Sequence, residues 1–355
     1  MRRETRVARI VLAFFAVTVL GSAQTSPSET ASFKDNGEGA HSLAFSPDGK
    51  TLAVGSSAPS RVRDGLPEGI IKFWDVMSGK LQSTLWQSGR RQKAGGDAYN
   101  HVRSLLFSPD GKILAAGDDV GYVLWEVQSG KEVAAFEQGF AYSGMAFSSD
   151  GKVFATVSRR VTDQPGVRLW DVATGQEKTW VKTGYVDCLD LSPDGKLLAV
   201  AKTHIALWDL STQTQLAKDE ITYPLNVVRF TADGKQLVAA GEGGRLEVYN
   251  VIVRDNKTTF ERRLTTTRFL GSTYSMSFSR DGKWLATGGD ANAEVWDATG
   301  WKLHLSRKGS YPALSPDGKL LAVGDPRMNQ GVVRQYGYRR GEVKVFSLDK
   351  MLEQK

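Results

Sequence analysis

Seven copies of an Asp-Gly-Lys step run through the chain, with their aspartates at Asp48, Asp110, Asp150, Asp194, Asp233, Asp281 and Asp317. The spacings between them are 62, 40, 44, 39, 48 and 36 residues. Self-similarity at such a period restricts a chain to stacked or radially repeated architectures. The flanking residues decide between them. An alternating segment precedes each step, such as "HSLAFS" at 41–46 or "NVVRFT" at 226–231, and an apolar run such as "KILAAG" at 112–117 follows. A third segment ends at Trp74-Asp75, Trp125-Glu126, Trp170-Asp171, Trp208-Asp209, Tyr249-Asn250, Trp296-Asp297 and Phe346-Ser347 in turn. Several units then show a second turn, "MSGK" at 77–80 or "ATGQ" at 173–176, and a fourth segment such as "EVAAFEQ" at 132–138. Alternation with period two between turn residues specifies strands, not helices. Four short antiparallel strands per unit, repeated seven times, predict an all-β fold: a seven-bladed β-propeller of four-stranded blades. Radial closure leaves few exposed strand edges.

A repeated aspartate is either a site or a turn. A metal or catalytic array needs clustered carboxylates, and seven aspartates splayed around the rim of a disc are not clustered. In "SPDG" the proline presets φ at the first central position of a type I turn. Asp suits the second, and Gly accepts the positive φ at which the chain re-enters a strand. Ser149, Ala232 and Arg280 replace the proline in three copies while Asp-Gly stays. The seven aspartates therefore read as structural turns.

"FSPDGKILAAG" at 107–117 with "VLWEV" at 123–127, and "FSSDGKVFATVS" at 147–158 with "VRLWDV" at 167–172, resemble WD-repeat β-propeller units. The resemblance extends over about residues 30–350. It implies that a strand ahead of the first unit completes the last blade. "TASFKDN" at 30–36 resembles "EVAAFEQ", so Ala31 to Lys34 is expected as the outer strand of blade 7. Two departures stand out. The family's Gly-His pair is missing, since His41 and His101 lie too close to Phe45 and Phe107, and units five and seven lack Trp-Asp. The buried Asp-His-Ser-Trp network of many members is therefore expected to be absent or degenerate. A more distant resemblance to the periplasmic Tol-system propellers fails on their six blades and additional N-terminal domain.

The first residues have another character. Arg2, Arg3, Arg6 and Arg9 precede "IVLAFFAVTVL" at 10–20 and "GSA" at 21–23. This is the pattern of a secretory signal, with an apolar run too short to span a bilayer. The division expected is a signal over 1–23 cut near Ala23, a flexible tether over 24–29, a propeller over 30–350 and a tail over 351–355. The mature protein would be exported, periplasmic or secreted, with no transmembrane span and a monomeric fold. The signal's four arginines and one glutamate account for +3 of the +7 net charge, leaving +4. So modest a surplus argues little for nucleic acid.

Function should lie where the units differ. Insertions fall at 55–70, 88–100, 158–166 and 324–341, in connections that share one face of a propeller. Their basic residues are Arg61, Arg63, Arg90, Arg91, Lys93, Arg159, Arg160, Arg327, Arg334, Arg339 and Arg340, against the acids Asp64, Glu68, Asp97, Asp163 and Asp325. Eleven against five is +6, more than the mature chain carries. Tyr99, Tyr336 and Tyr338 add aromatic surface, and arginine with tyrosine is a composition of interfaces. These fourteen basic and aromatic residues form the candidate binding set. The partner expected is a protein or acidic peptide, with an anionic cell-envelope surface (acidic polysaccharide or lipid head groups) as the alternative. Ordinary solvated loops have the same polarity.

Catalytic signatures are scarce. His-Glu-x-x-His, Gly-x-Ser-x-Gly and a phosphate-cradling glycine loop are all missing. His41, His101, His204 and His304 show no ligand spacing, Ser347-x-x-Lys350 sits at the C-terminal end, and Asn256-Lys257-Thr258 is a glycosylation sequon with meaning only in a eukaryotic secretory route. Cys188, the one cysteine, stands among alternating apolar residues and reads as a buried small side chain. No cofactor and no metal are expected, and the chain reads as a non-enzymatic scaffold. A hydrolase or lyase would have to assemble its site at the central channel, where Tyr142, Asp187 and Asn226 stand near the starts of inner strands.

Overall fold

A computed structural model describes residues 28–34, 39–58, 68–87, 101–118, 120–136, 144–158, 164–255, 257–266, 271–289, 292–324 and 341–353. Each Asp-Gly-Lys step folds into the same hydrogen-bonded turn. In the first copy Ser46 Oγ donates to Asp48 Oδ1 at 2.6 Å. The Lys50 amide donates to the same oxygen at 3.1 Å, and the Thr51 amide donates to Ser46 Oγ at 3.0 Å. The pattern recurs at Asp110, Asp150, Asp194, Asp233, Asp281 and Asp317, with Thr231 in place of serine at Asp233. The following glycine takes a left-handed φ, 73° at Gly49 and 69° at Gly318, which a side chain would resist. The carboxylate thus joins the end of one strand to the start of the next.

These bonds favour the charged carboxylate. The hydroxyl of Ser or Thr two residues earlier, with the lysine amide, holds Asp48, Asp110, Asp150, Asp194, Asp233 and Asp281 below the ordinary range. At Asp317 burial is the largest influence and pushes upward, but Ser315 and Lys319 outweigh it. A depressed folded-state pKa contributes stability above the unfolded value and loses it as pH falls through the folded one. Unfolded aspartate titrates near 3.9, roughly. The urea midpoint is therefore expected to hold between about pH 7 and pH 5 and to fall steeply below about pH 4. Equal midpoints at pH 5 and pH 3 would contradict the shared turn mechanism.

Seven separate four-stranded antiparallel sheets follow. Blade 1 comprises β2 (Ser42–Phe45), β3 (Thr51–Ala58), β4 (Glu68–Asp75) and β5 (Leu81–Gln87). Blades 2 to 6 repeat that order. Their inner strands are β6 (Ser104–Phe107), β10 (Met145–Phe147), β14 (Cys188–Leu191), β18 (Leu225–Phe230) and β22 (Ser275–Phe278). Blade 7 holds β26 (Ser310–Leu314), β27 (Leu320–Gly324) and β28 (Val343–Ser347), and its fourth strand is β1 (Glu29–Phe33) from the other end of the chain. The propeller and its closure by an N-terminal strand are as the repeats imply.

The details of closure differ. The strand begins at Glu29 and ends at Phe33, so Lys34 lies beyond it, with Phe33 opposite Val343 and Glu29 opposite Phe346. Residues 28 and 29, expected in the tether, are fastened instead. The Ser28 carbonyl accepts from the Ser347 amide at 2.8 Å, and Lys344 Nζ meets Glu29 Oε2 at 3.1 Å. The C-terminal segment also folds, as helix α1 (Leu348–Glu353), with Leu348 and Met351 buried. The first insertion is shorter than its sequence suggests. The ladder of β3 and β4 runs on through Ser57–Gly69 to Ala58–Glu68, because the small side chains of Ser56 and Ser57 bury completely.

Apolar clusters weld each blade to the next. One joins Phe33, Val343 and Val345 of blade 7 to Leu43, Leu52 and Trp74 of blade 1, and Phe33 stacks on Trp74 at 5.4 Å. Others join every further neighbouring pair around the ring. The expected degenerate tryptophan network survives in half-form in two blades. Trp170 Nε1 donates to Thr156 Oγ1 at 2.8 Å and Trp296 Nε1 to Thr287 Oγ1 at 3.0 Å. The buried indole nitrogens of Trp125 and Trp208 find no such acceptor.

Candidate functional site

Antiparallel pairing within each blade sends the β3–β4 and β5–β6 connections to one face and the Asp-Gly turns to the other. The strand ends that flank the insertions, Ala58 with Glu68, Ser158 with Gly166 and Gly324 with Val343, open on the first face. The candidate binding residues Arg61, Arg63, Arg90, Arg91, Lys93, Tyr99, Arg159, Arg160, Arg327, Arg334, Tyr336, Tyr338, Arg339 and Arg340 lie outside the described residues, as does Tyr142. Residues 1–27, where the signal sequence is expected, do too.

The described part of that face brings together residues that sequence kept apart. His41 precedes β2 and His101 precedes β6, and their rings meet at 4.7 Å between centroids. His41 Nε2 lies 3.4 Å from Ser57 Oγ. Both residues occupy the entry to an inner strand, in consecutive blades. That repeat-relative position was the available signal, obscured by an offset of two residues between the copies.

Asp187 and Asn226 stand at the same entry in blades 4 and 5, and each is tied into the scaffold. Asp187 Oδ1 is 3.5 Å from Lys202 Nζ, and Asn226 Nδ2 donates to the Thr273 carbonyl at 3.2 Å. No group of three or more His, Cys, Asp or Glu placed to hold a metal occurs among the described residues. Cys188 is buried, its thiol directed to the carbonyl of Ala201 at 3.6 Å.

Between blades 4 and 5 lies a polar network no motif announced. Glu247, 1% exposed, accepts from the Tyr223 hydroxyl and from Thr265 Oγ1 at 2.6 Å. Arg262 reaches Glu247 at 3.7 Å and donates to Asp219 Oδ2 at 2.6 Å, where Tyr249 also donates at 3.0 Å. Burial, then the carboxylate of Glu247, pushes the Tyr223 phenol up to about 12. Both tyrosines therefore stay neutral donors throughout the physiological range. Arg245 lies over the Tyr223 ring at 4.1 Å.

The inner strands enclose a central cavity of about 520 Å³. Its wall carries Arg103, Arg229 and Arg280 among apolar residues and serines, with no carboxylate, histidine or cysteine among the described lining residues. The hydroxyls are engaged in the scaffold. Ser42 Oγ donates to the Val102 carbonyl at 3.0 Å and Ser275 Oγ to that of Pro312 at 3.0 Å.

The family model of the WD domain, G-beta repeat, matches residues 28–75, 95–119 and 264–297. These stretches take in the closing strand and most of blade 1, the start of blade 2, and most of blade 6. Those three stretches carry WD40 repeats. Among curated proteins, this propeller is 26% identical over 273 residues to Periodic tryptophan protein 2 of Saccharomyces cerevisiae, covering 59% of the chain and 28% of that protein. It is 24% identical over 281 residues to Protein tipD of Dictyostelium discoideum, with 73% and 40% covered. It is 25% identical over 237 residues to Serine-threonine kinase receptor-associated protein of Gallus gallus, with 64% and 61% covered. The chain thus spans less than two thirds of the length of each of these relatives. Among the described residues no helix is long and apolar enough to cross a membrane.

Proposed function

We propose that this WD40 propeller is a non-enzymatic binding scaffold, acting outside the cytoplasm, whose insertion-bearing face takes an acidic protein or peptide partner. The observation that carries this reading is the charge of the insertions, +6 on four connections that the blade topology sends to one face. Arginine suits the role because its planar fork pairs with carboxylates in two parallel bonds, and a one-signed surface steers an acidic partner in. Two further facts agree. The cavity wall has no described carboxylate or imidazole to serve as a general base. One relative is named for association with a kinase receptor, and that is said of the relative alone. The basic, apolar and small-residue order of 2–23 supports the export part of the reading.

The test is affinity capture from the native envelope fraction, with a variant carrying Arg90, Arg91, Arg339 and Arg340 each changed to Glu. The variant is expected to fold as the parent does and to lose at least about tenfold in capture, since each reversal replaces an attraction by a repulsion. Capture that is unchanged overturns the proposal. Capture that survives protease treatment of the fraction also overturns it, in favour of polysaccharide or lipid.

A further inference from the structure

The three arginines of the cavity are the only formally charged residues among its described lining. They are spread along its length. Arg103 precedes inner strand β6, Arg229 lies within β18, and Arg280 follows β22 in the turn where most copies have proline. Arg229 is the best defined. Its Nη1 donates to the carbonyls of Leu189 at 3.2 Å and Val228 at 2.9 Å, which fixes the guanidinium against the wall. Its other donors, Nε and Nη2, have no protein hydrogen bond among the described residues.

The carboxylate that interacts with Arg229 lies behind the wall, not on it. Asp190 occupies the position in β14 that Arg229 occupies in β18, two residues before the turn Ser or Thr. Asp190 Oδ2 accepts from the Phe230 amide at 2.8 Å, and Asp190 does not line the cavity. Burial pushes its carboxyl up, more strongly than Arg229 pulls it down. A positive wall in a partly enclosed, low-dielectric space attracts anions more strongly than the same charge on an open surface.

Shape and lining point the same way. Small-molecule sites are concave and mostly apolar, with a few convergent polar groups, at volumes of roughly 300–1,000 Å³. Here Met276, Leu105 and Phe45 supply apolar wall, and Tyr274 and Tyr311 add ring surface. Tyr311 sits at φ 47°, in the left-handed region that bulky residues seldom enter, beside a bulge between Ser310 and Ala313. Strain of that kind gathers where a side chain has to be aimed.

We propose that the channel binds a small organic anion, a carboxylate or phosphate ester with an apolar body, held by Arg229 and drawn in by Arg103 and Arg280. The cavity opens on the partner-binding face beside Arg103, but its test does not involve the captured partner. Calorimetric titration of the purified chain with naphthoate, naphthyl phosphate and uncharged naphthamide reads it directly. One of the two anions is expected to bind saturably at a single site, about tenfold or more tighter than naphthamide, the worth of one charge-assisted pair. Which anion wins distinguishes a carboxylate ligand from a phosphate one. Added salt should weaken the anion and leave the amide unchanged. Arg229→Gln and Arg103→Gln should each lower the anion's affinity about tenfold. Arg229 also holds two backbone carbonyls, so Arg280→Gln, at an exposed residue, supplies a variant whose fold is not at stake and which should lower affinity at low salt. Equal binding of naphthamide, no saturable heat with either anion, or unchanged affinity in all three variants overturns the proposal.

Discussion

Phe33→Ala is expected to destabilise the propeller by about 3–5 kcal/mol, the cost of deleting a wholly buried aromatic side chain. Phe33 is 0% exposed, stacks on Trp74 of blade 1 at 5.4 Å, and belongs to the cluster holding Val343 and Val345 of blade 7. It therefore joins three parts of the molecule: the closing strand, the strand it pairs with, and the neighbouring blade. The remaining bonds of β1, such as Thr30 Oγ1 to the Val345 carbonyl at 3.0 Å, lie in the outermost position of a sheet and are modest individually. Against a typical total stability of about 5–15 kcal/mol, the loss is enough to open the ring in a large fraction of molecules. Urea denaturation should show the midpoint shift. Size-exclusion chromatography should show an expanded or self-associated species, because an opened blade 7 presents an unpaired β28 edge. Phe33→Leu, which keeps most of the volume, should cost less than about half as much. A shift below about 1 kcal/mol for Phe33→Ala would mean that β1 is a passenger and the ring closes without it.

Gly241→Ala should cost about 3 kcal/mol through steric overlap alone. The residue is at the end of β19 (Gln236–Gly241), with an extended φ of −166° that alanine tolerates. Space is the obstacle. A Cβ there would lie 2.0 Å from the Pro224 carbonyl oxygen and 2.7 Å from Leu225 Cα, which are backbone atoms unable to swing aside. That carbonyl accepts from the Glu242 amide at 3.0 Å, and the Gly241 carbonyl accepts from Thr273 of blade 6 at 3.0 Å. Moving the first loosens the end of the β18–β19 pair within blade 5, and moving the second the seam between blades 5 and 6. Gly300→Ala is the control. An added Cβ there meets nothing within 4 Å, so its effect should stay within about 0.5 kcal/mol. Equal urea midpoints for the two variants would refute the steric account.

The fold was legible because its signal is local and repeated. A Ser or Thr, an Asp and a Gly at fixed offsets are enough to close the turn seen at Asp48 and its six counterparts. The closing strand was legible from the likeness of 30–36 to 132–138, though its start at Glu29 depends on a salt bridge with Lys344, 315 residues away, which no local pattern encodes. The site was much less legible. Arg103, Arg229 and Arg280 stand at different offsets from their turns, and in a linear reading each is an ordinary basic residue. Only radial packing of the inner strands puts them on one wall. Asp190 and Arg229 were the exception, since they occupy one column of the aligned repeats where Ala44, Ala146 and Ala313 stand in other copies. A charged pair interrupting an apolar column was the signal available. The insertions remain a matter of composition, where net charge and aromatic content speak to a partner but geometry does not.

The clasp also sets a timetable. Thr30 and Val345 are hydrogen-bonded across a sequence separation of 315 positions. At synthesis rates of about 5–20 residues per second, that interval lasts on the order of tens of seconds. The helices and hairpins of a local fold complete themselves as they emerge, but here the earliest strand waits longest. During it blades 1 to 6 are completed one after another as an open arc with one strand of the seventh unclaimed, so the period in which a copy is most exposed to mispairing has a lower bound set by the making of the chain, not by the stability of the finished ring.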